Sequence, residues 1–124
     1  MIDNNNTLHL VLKKKWYELI ESGIKKEEYR EIKPYWIKRL WIIEKKSITD
    51  WAINDYKEQN IDLVEMARKC NMMPKDFNIV CFHLGYTNTK MAFQIKSITI
   101  DTGKEEWGAE KDKQYFVIKL GERL

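Results

Sequence analysis

Cysteine is nearly absent from this chain of 124 residues. Cys70 and Cys81 show no CxxC spacing and no histidine neighbours at metal-ligand spacing, so they signal neither a disulfide framework nor a zinc site. Both read as small buried hydrophobes. No metal and no other cofactor is expected. Long apolar runs are also missing, which argues against a membrane span. The first residues, Met1 to Thr7, are polar and Asn-rich and lack the basic-then-apolar layout of a leader, so the expected location is cytoplasmic. No internal repeat or low-complexity tract interrupts the chain, and at this length one domain is the expectation, with a single core.

Charge of one sign is not in great excess either, since the net is +3. It is unevenly spread: residues 1–46 hold 11 Lys and Arg against 7 Asp and Glu, and residues 47–124 hold 11 against 12. The mildly basic first part is compatible with nucleic acid, although a solvated surface looks much the same.

The most informative stretch is Gly23-Ile-Lys25-Lys26-Glu27-Glu28-Tyr29-Arg30. Upstream, Leu12, Trp16, Leu19 and Ile20 repeat at the spacing of one helix face, and Gly23 stands where a helix ends in the left-handed conformation. Downstream, Glu28 and Arg30 share one face of an alternating strand, and Lys25 can join them only from the turn. A Lys, a Glu and an Arg converging there suit a small polar or phosphate-bearing ligand, the cations donating and the carboxylate accepting. A Glu28–Arg30 ion pair on a solvated sheet face fits the same residues.

Around this stretch the pattern predicts a strand over Thr7–Leu12 with His9 as a structural residue, a helix over about Lys14–Ser22, and a second helix opened by Pro34. That second helix carries Trp36, Ile37, Leu40 and Trp41 on an apolar face and Lys33, Lys38 and Arg39 on a basic one. Tyr35, Trp36 and Trp41 read either as base-stacking platforms or as core, with packing favoured for the two tryptophans. From Glu44 to Asp76 the pattern is a helical pair, over Trp51–Tyr56 and Leu63–Cys70, with little strand character. An incipient helix-turn-helix in its second part lacks a recognition helix. Strands follow over Phe77–Leu84, Met91–Ile100 and Tyr115–Leu120, with turns at Gly85–Asn88 and Asp101–Gly103. Tyr86 reads as a candidate ligand contact, Trp107 as a barrel plug ahead of a ligand wall, and Thr87 and Asn88 as turn formers. Five short strands with two early helices predict an α+β fold, a small mixed β-barrel whose closure removes exposed edges.

Gly23, Lys25, Glu28 and Arg30 reproduce G-x-K-x-x-E-x-R, and on this motif the chain resembles the ASCH domains of the PUA-like group of RNA-associated barrels. Lys13–Trp16, Tyr29–Leu40, Leu84-Gly-Tyr86, Glu106–Ala109 and Tyr115–Gly121 are similar to a short branch found in bacteria, phages and mobile elements. The resemblance spans both ends of the chain and leaves out residues 44–76, which read as a helical insertion on a barrel loop. It implies a PUA-like barrel whose cleft, lined by Lys25, Glu28 and Arg30 and helped by Lys33, Lys38, Arg39 and Tyr86, binds RNA or a modified nucleotide or nucleoside. In a branch that hydrolyses N4-acetylcytidine, the position matching Lys25 is a catalytic lysine and that matching Glu28 a threonine nucleophile. Glutamate has no hydroxyl to attack with, which counts against that reaction here. A small hydrolase or ribonuclease using Glu28 and Lys25 as catalytic residues is the alternative. A protein-interaction role for the inserted helices at residues 44–76 is a third.

Overall fold

The computed structural model describes residues 6–43, 46–47, 62, 65 and 72–124. They fall into two compact units, one of Met1–Tyr29 with Asp76–Leu124 and one of Arg30–Lys75.

The larger unit is built on a curled, five-stranded mixed sheet in the order β1 (Thr7–Leu12), β6 (Ile79–Leu84), β7 (Lys90–Thr102), β8 (Gln114–Arg123), β2 (Glu27–Glu31). β2 runs on into the second unit at Arg30. β1 and β6 pair in parallel, with His9 opposite Cys81 and Val11 opposite His83, whereas β6–β7 and β7–β8 are antiparallel. The alternation read in Thr7–Leu12 is realised: Leu8, Leu10 and Leu12 are buried, and His9 and Val11 point outward. On β6 and β8 burial does not alternate. Val80, Cys81 and Phe82 are all buried, as are Tyr115 to Ile118, and helix α1 (Lys14–Glu21) packs on β6. Strands of this kind read as continuous apolar runs.

β7 is long enough to serve two neighbours. Its first part pairs with β6 and its remainder with β8, and the register slips between Phe93 and Ile95 and again between Ile95 and Ser97. Such bulges bend a strand and sharpen its twist. They account for a sheet that curls as a half-barrel. β1 and β2 are its edges, so the closed barrel expected from the strand count is seen only as this open, curled sheet.

The second unit holds α2 (Pro34–Leu40), begun by Pro34 in the first helical turn, and a three-stranded sheet of β3 (Trp41–Ile43) flanked by β4 (Lys46–Ser47) and β5 (Met72–Pro74). Ile37, Leu40 and Trp41 are buried as the apolar periodicity required, but Trp41 opens a strand instead of ending the helix. Met72–Pro74, within the segment read from sequence as a helical pair with little strand character, is likewise a strand. The helices expected over Trp51–Tyr56 and Leu63–Cys70 lie outside the described residues, and with them most of the segment considered for a protein partner. Among the described residues no helix is long and apolar enough to cross a membrane.

Candidate functional site

The Gly23–Arg30 stretch is held by the end of α1. Gly23 donates to the Ile20 carbonyl and adopts φ of 84°, and the N–H groups of Ile24 and Lys25 both donate to the Leu19 carbonyl at 3.1 and 3.0 Å. This turns the chain back beneath the helix, so that Lys25 enters the interior while Ile24 and Lys26 stay exposed. The Leu120 N–H then donates to the Lys26 carbonyl at 3.0 Å, fastening the start of β2 to β8.

Lys25 and Glu28 are the only buried charged residues among those described, 3% and 6% exposed. The Lys25 ammonium stands 3.0 Å from Glu28 Oε1 and donates to the Trp107 carbonyl at 2.6 Å. It also lies 4.5 Å from the Trp16 ring centroid and 5.4 Å from that of Tyr29. A buried ammonium is tolerated only when its charge and its donors are engaged. A carboxylate, a carbonyl and two aromatic faces meet that requirement here.

Two glycines make room for the aromatic walls. A Cβ on Gly108, which caps the 3₁₀ turn Glu105–Trp107 with φ of 104°, would come within 3.0 Å of the Trp16 ring. A Cβ on Gly103 would come within 2.7 Å of Tyr29 Cζ and of Ala109 Cβ. Tyr29 is fixed at its far end, its hydroxyl donating to Glu27 Oε1 at 2.9 Å and accepting from the Lys104 N–H at 3.0 Å. Its ring packs with Tyr115, Ala109 and Val117. Burial first, and then the neighbouring carboxylates, push the Tyr29 hydroxyl well above the ordinary tyrosine value, against the lowering effect of the Lys104 N–H.

Next to this cage the surface is concave and basic. One cleft of about 410 Å³ is lined by Gly23, Lys25, Lys26, Lys96 and Leu120 among others. A second of about 280 Å³ shares Lys26, Lys96 and Leu120 and adds Glu27, Lys104, Trp107 and Lys119. The Lys104 ammonium lies 4.3 Å from the Trp107 ring centroid. Lys26, Lys96, Lys104 and Lys119 were not singled out from sequence, because they come from four separate stretches that only the sheet gathers.

The remaining candidates are distributed differently. Arg30 belongs to the second unit, where its guanidinium lies 5.0 Å from the Trp36 ring. Arg39 lies 5.5 Å from the same ring and donates to the Tyr35 hydroxyl at 3.1 Å, with Tyr35 edge-on to Trp36. Tyr35 is exposed and Trp36 half-buried, so this tryptophan is part of a cation–aromatic cluster and not the core residue expected. Lys33 pairs with Glu31 at 3.0 Å on the surface, and Lys38 is half-buried in the last turn of α2. Tyr86 is 99% exposed, at the turn between β6 and β7. Trp107 is buried beneath Lys104, and Thr87 forms the turn, its hydroxyl donating to the Leu84 carbonyl at 2.6 Å.

One grouping corrects the sequence reading. His9, read from sequence as a structural residue, and Cys81, read as having no histidine neighbours at metal-ligand spacing, come together with His83 on the outer face of β1 and β6, their ligand atoms all within 4.8 Å of one another. His9 Nδ1 and His83 Nε2 are 3.0 Å apart. The visible signal is Cys81-x-His83 on one strand face, and the parallel pairing with β1 supplies the third member. Burial pushes the Cys81 thiol up, and Lys90 partly offsets this. Cys70 lies outside the described residues.

No protein-family model, curated protein or solved structure matches this chain.

Proposed function

We propose that the chain is a binding module for RNA or a modified nucleotide, a PUA-like ASCH domain working in the cytoplasm. The observation that carries this is the pair of adjoining clefts that share Lys26 and Lys96, the larger reaching Lys25 and the smaller lined also by Lys104 and Lys119. Clustered lysines attract a phosphate backbone or a nucleotide phosphate with little dependence on base. Taken by itself, the second unit's cluster of Arg30, Tyr35, Trp36 and Arg39 has the combination of aromatic face and cation that suits unstacked bases. Lys25, paired with Glu28 and donating to the Trp107 carbonyl, lines the larger cleft.

Binding takes precedence over hydrolysis because Glu28 is almost fully buried and its carboxylate faces Lys25, which leaves little access for an attacking water. The test is titration of the full chain with single-stranded RNA oligomers and with a panel of free nucleosides and nucleotides at low salt. Saturable binding that weakens as salt rises is expected. Absence of binding to every probe at low salt overturns the proposal.

A further inference from the structure

We propose that His9, Cys81 and His83 form a binding site for a borderline-soft divalent metal ion of the zinc class. The site lies on the outer face of the β1–β6 pair and is independent of the lysine-lined clefts.

The backbone builds it. His9 and Cys81 are register partners in the parallel pair, and His83 follows Cys81 by two residues on the same strand face. All three side chains therefore project from one side of the sheet, and the ladder holds their Cβ atoms at fixed spacing. Cys81 is 8% exposed, His83 half-buried and His9 exposed, so the thiol forms the floor and one imidazole the rim.

The distances suit coordination. Zn–N bonds of about 2.0–2.1 Å and Zn–S bonds of about 2.3 Å in tetrahedral geometry place ligand atoms roughly 3.3–3.6 Å apart. The two ring nitrogens stand at 3.0 Å and the sulfur lies within 4.8 Å of both. Small side-chain rotations close the set around one ion without moving the strands. Without a metal, one of the facing nitrogens must carry a proton for the two to hydrogen-bond. On binding, that proton moves to the outer nitrogen of the same ring, both imidazoles coordinate as neutral ligands, and the Cys81 thiol releases its proton to solvent as the thiolate–metal bond forms.

The donor set determines the class of ion. One thiolate and two imidazoles favour zinc, cobalt or copper over magnesium or calcium, which take oxygen ligands. Three protein ligands with an exposed histidine at the rim leave the fourth tetrahedral position to water or an incoming group. Sheet placement also makes the three ligands dependent on one another. Losing even an outer-shell partner of a metal ligand weakens binding by 10–100-fold, so losing a direct ligand costs at least about tenfold.

The experiment is Co²⁺ titration of the reduced full-length chain, read by absorption spectroscopy, with Zn²⁺ competition. One equivalent is expected to bind with a thiolate-to-cobalt charge-transfer band and the strong visible bands of a tetrahedral site, both abolished by Zn²⁺. His9→Ala changes an exposed side chain and leaves the fold intact, and it should weaken binding at least about tenfold. Cys81→Ser should remove the charge-transfer band. Failure of the wild type to bind Co²⁺ or Zn²⁺, or binding of unchanged strength and spectrum in both His9→Ala and His83→Ala, overturns the proposal. A charge-transfer band that persists in Cys81→Ser also overturns it, because the thiolate would then be another residue.

Discussion

The Lys25 ammonium meets the Glu28 carboxylate at 3.0 Å with both side chains more than nine-tenths buried. Removing one member leaves the other as an uncompensated buried charge. Glu28→Ala is therefore expected to destabilise the chain by about 3–5 kcal/mol, whereas the double substitution Lys25→Met, Glu28→Leu should recover most or all of that loss. Urea unfolding of the wild type, the single variant and the double variant checks this. A double variant no more stable than Glu28→Ala would mean that the pair is held by more than its mutual charge.

Gly103 is required for the space beside it and not for its backbone angle. Its missing Cβ is the space occupied by Tyr29 Cζ and Ala109 Cβ, and Tyr29 cannot swing aside without giving up hydrogen bonds to Glu27 and Lys104. Gly103→Ala should cost about 1–3 kcal/mol, the range for overpacking a filled site. In combination with Tyr29→Ala the penalty of the added methyl should largely vanish, which a thermal-denaturation cycle of the four proteins would show.

Tyr29 also predicts an alkaline limit. Its hydroxyl is held neutral in the folded chain well above the ordinary tyrosine value, so the unfolded chain ionises first. Its contribution is present in full below about pH 10, and stability falls as pH rises beyond that toward the folded value. Tyr17, raised by burial and by Glu21, acts in the same direction. Tyr29→Phe should lose about 1 kcal/mol at neutral pH through the missing hydrogen bonds. It should also show a shallower decline above pH 10, measured by denaturant unfolding across the alkaline range. Equal slopes for the two proteins would remove Tyr29 from the account.

Local chemistry made much of this architecture legible. The alternation of Leu8, Leu10 and Leu12, the Gly23 helix end and Pro34 at the start of α2 each act over a few residues, and each element stands where its pattern put it. That Lys25 could reach Glu28 only from a turn was also readable, since strand parity forbade the alternative. What escaped was long-range. Trp41–Ile43 and Met72–Pro74 pair with each other across about thirty positions of chain, and cross-strand partners override helical spacing. Lys96, Lys104 and Lys119 look like isolated surface charges until β7 and β8 bring them around Lys26. His9 acquires Cys81 and His83 only through a parallel register, which no local signal announces.

The clefts give the most direct test of how the surface meets a polyanion. Lys96 and Lys119 are exposed, project from β7 and β8, and line the smaller cleft with Lys26 and Lys104. Neutralising them removes no buried contact, so Lys96→Ala, Lys119→Ala should change stability by less than about 0.5 kcal/mol for each substitution. If each lysine neutralises one phosphate of single-stranded RNA, the plot of log affinity against log salt should flatten by about 0.7 for each residue removed, or about 1.4 for the pair. The affinities of the two proteins should then converge as salt rises. Tyr86→Ala serves as the contrasting variant. That ring is fully exposed at a turn, and a stacking role would cost about 1–3 kcal/mol of affinity with the salt slope unchanged. A slope that stays at the wild-type value after both lysines are removed would place the bound phosphates away from the clefts.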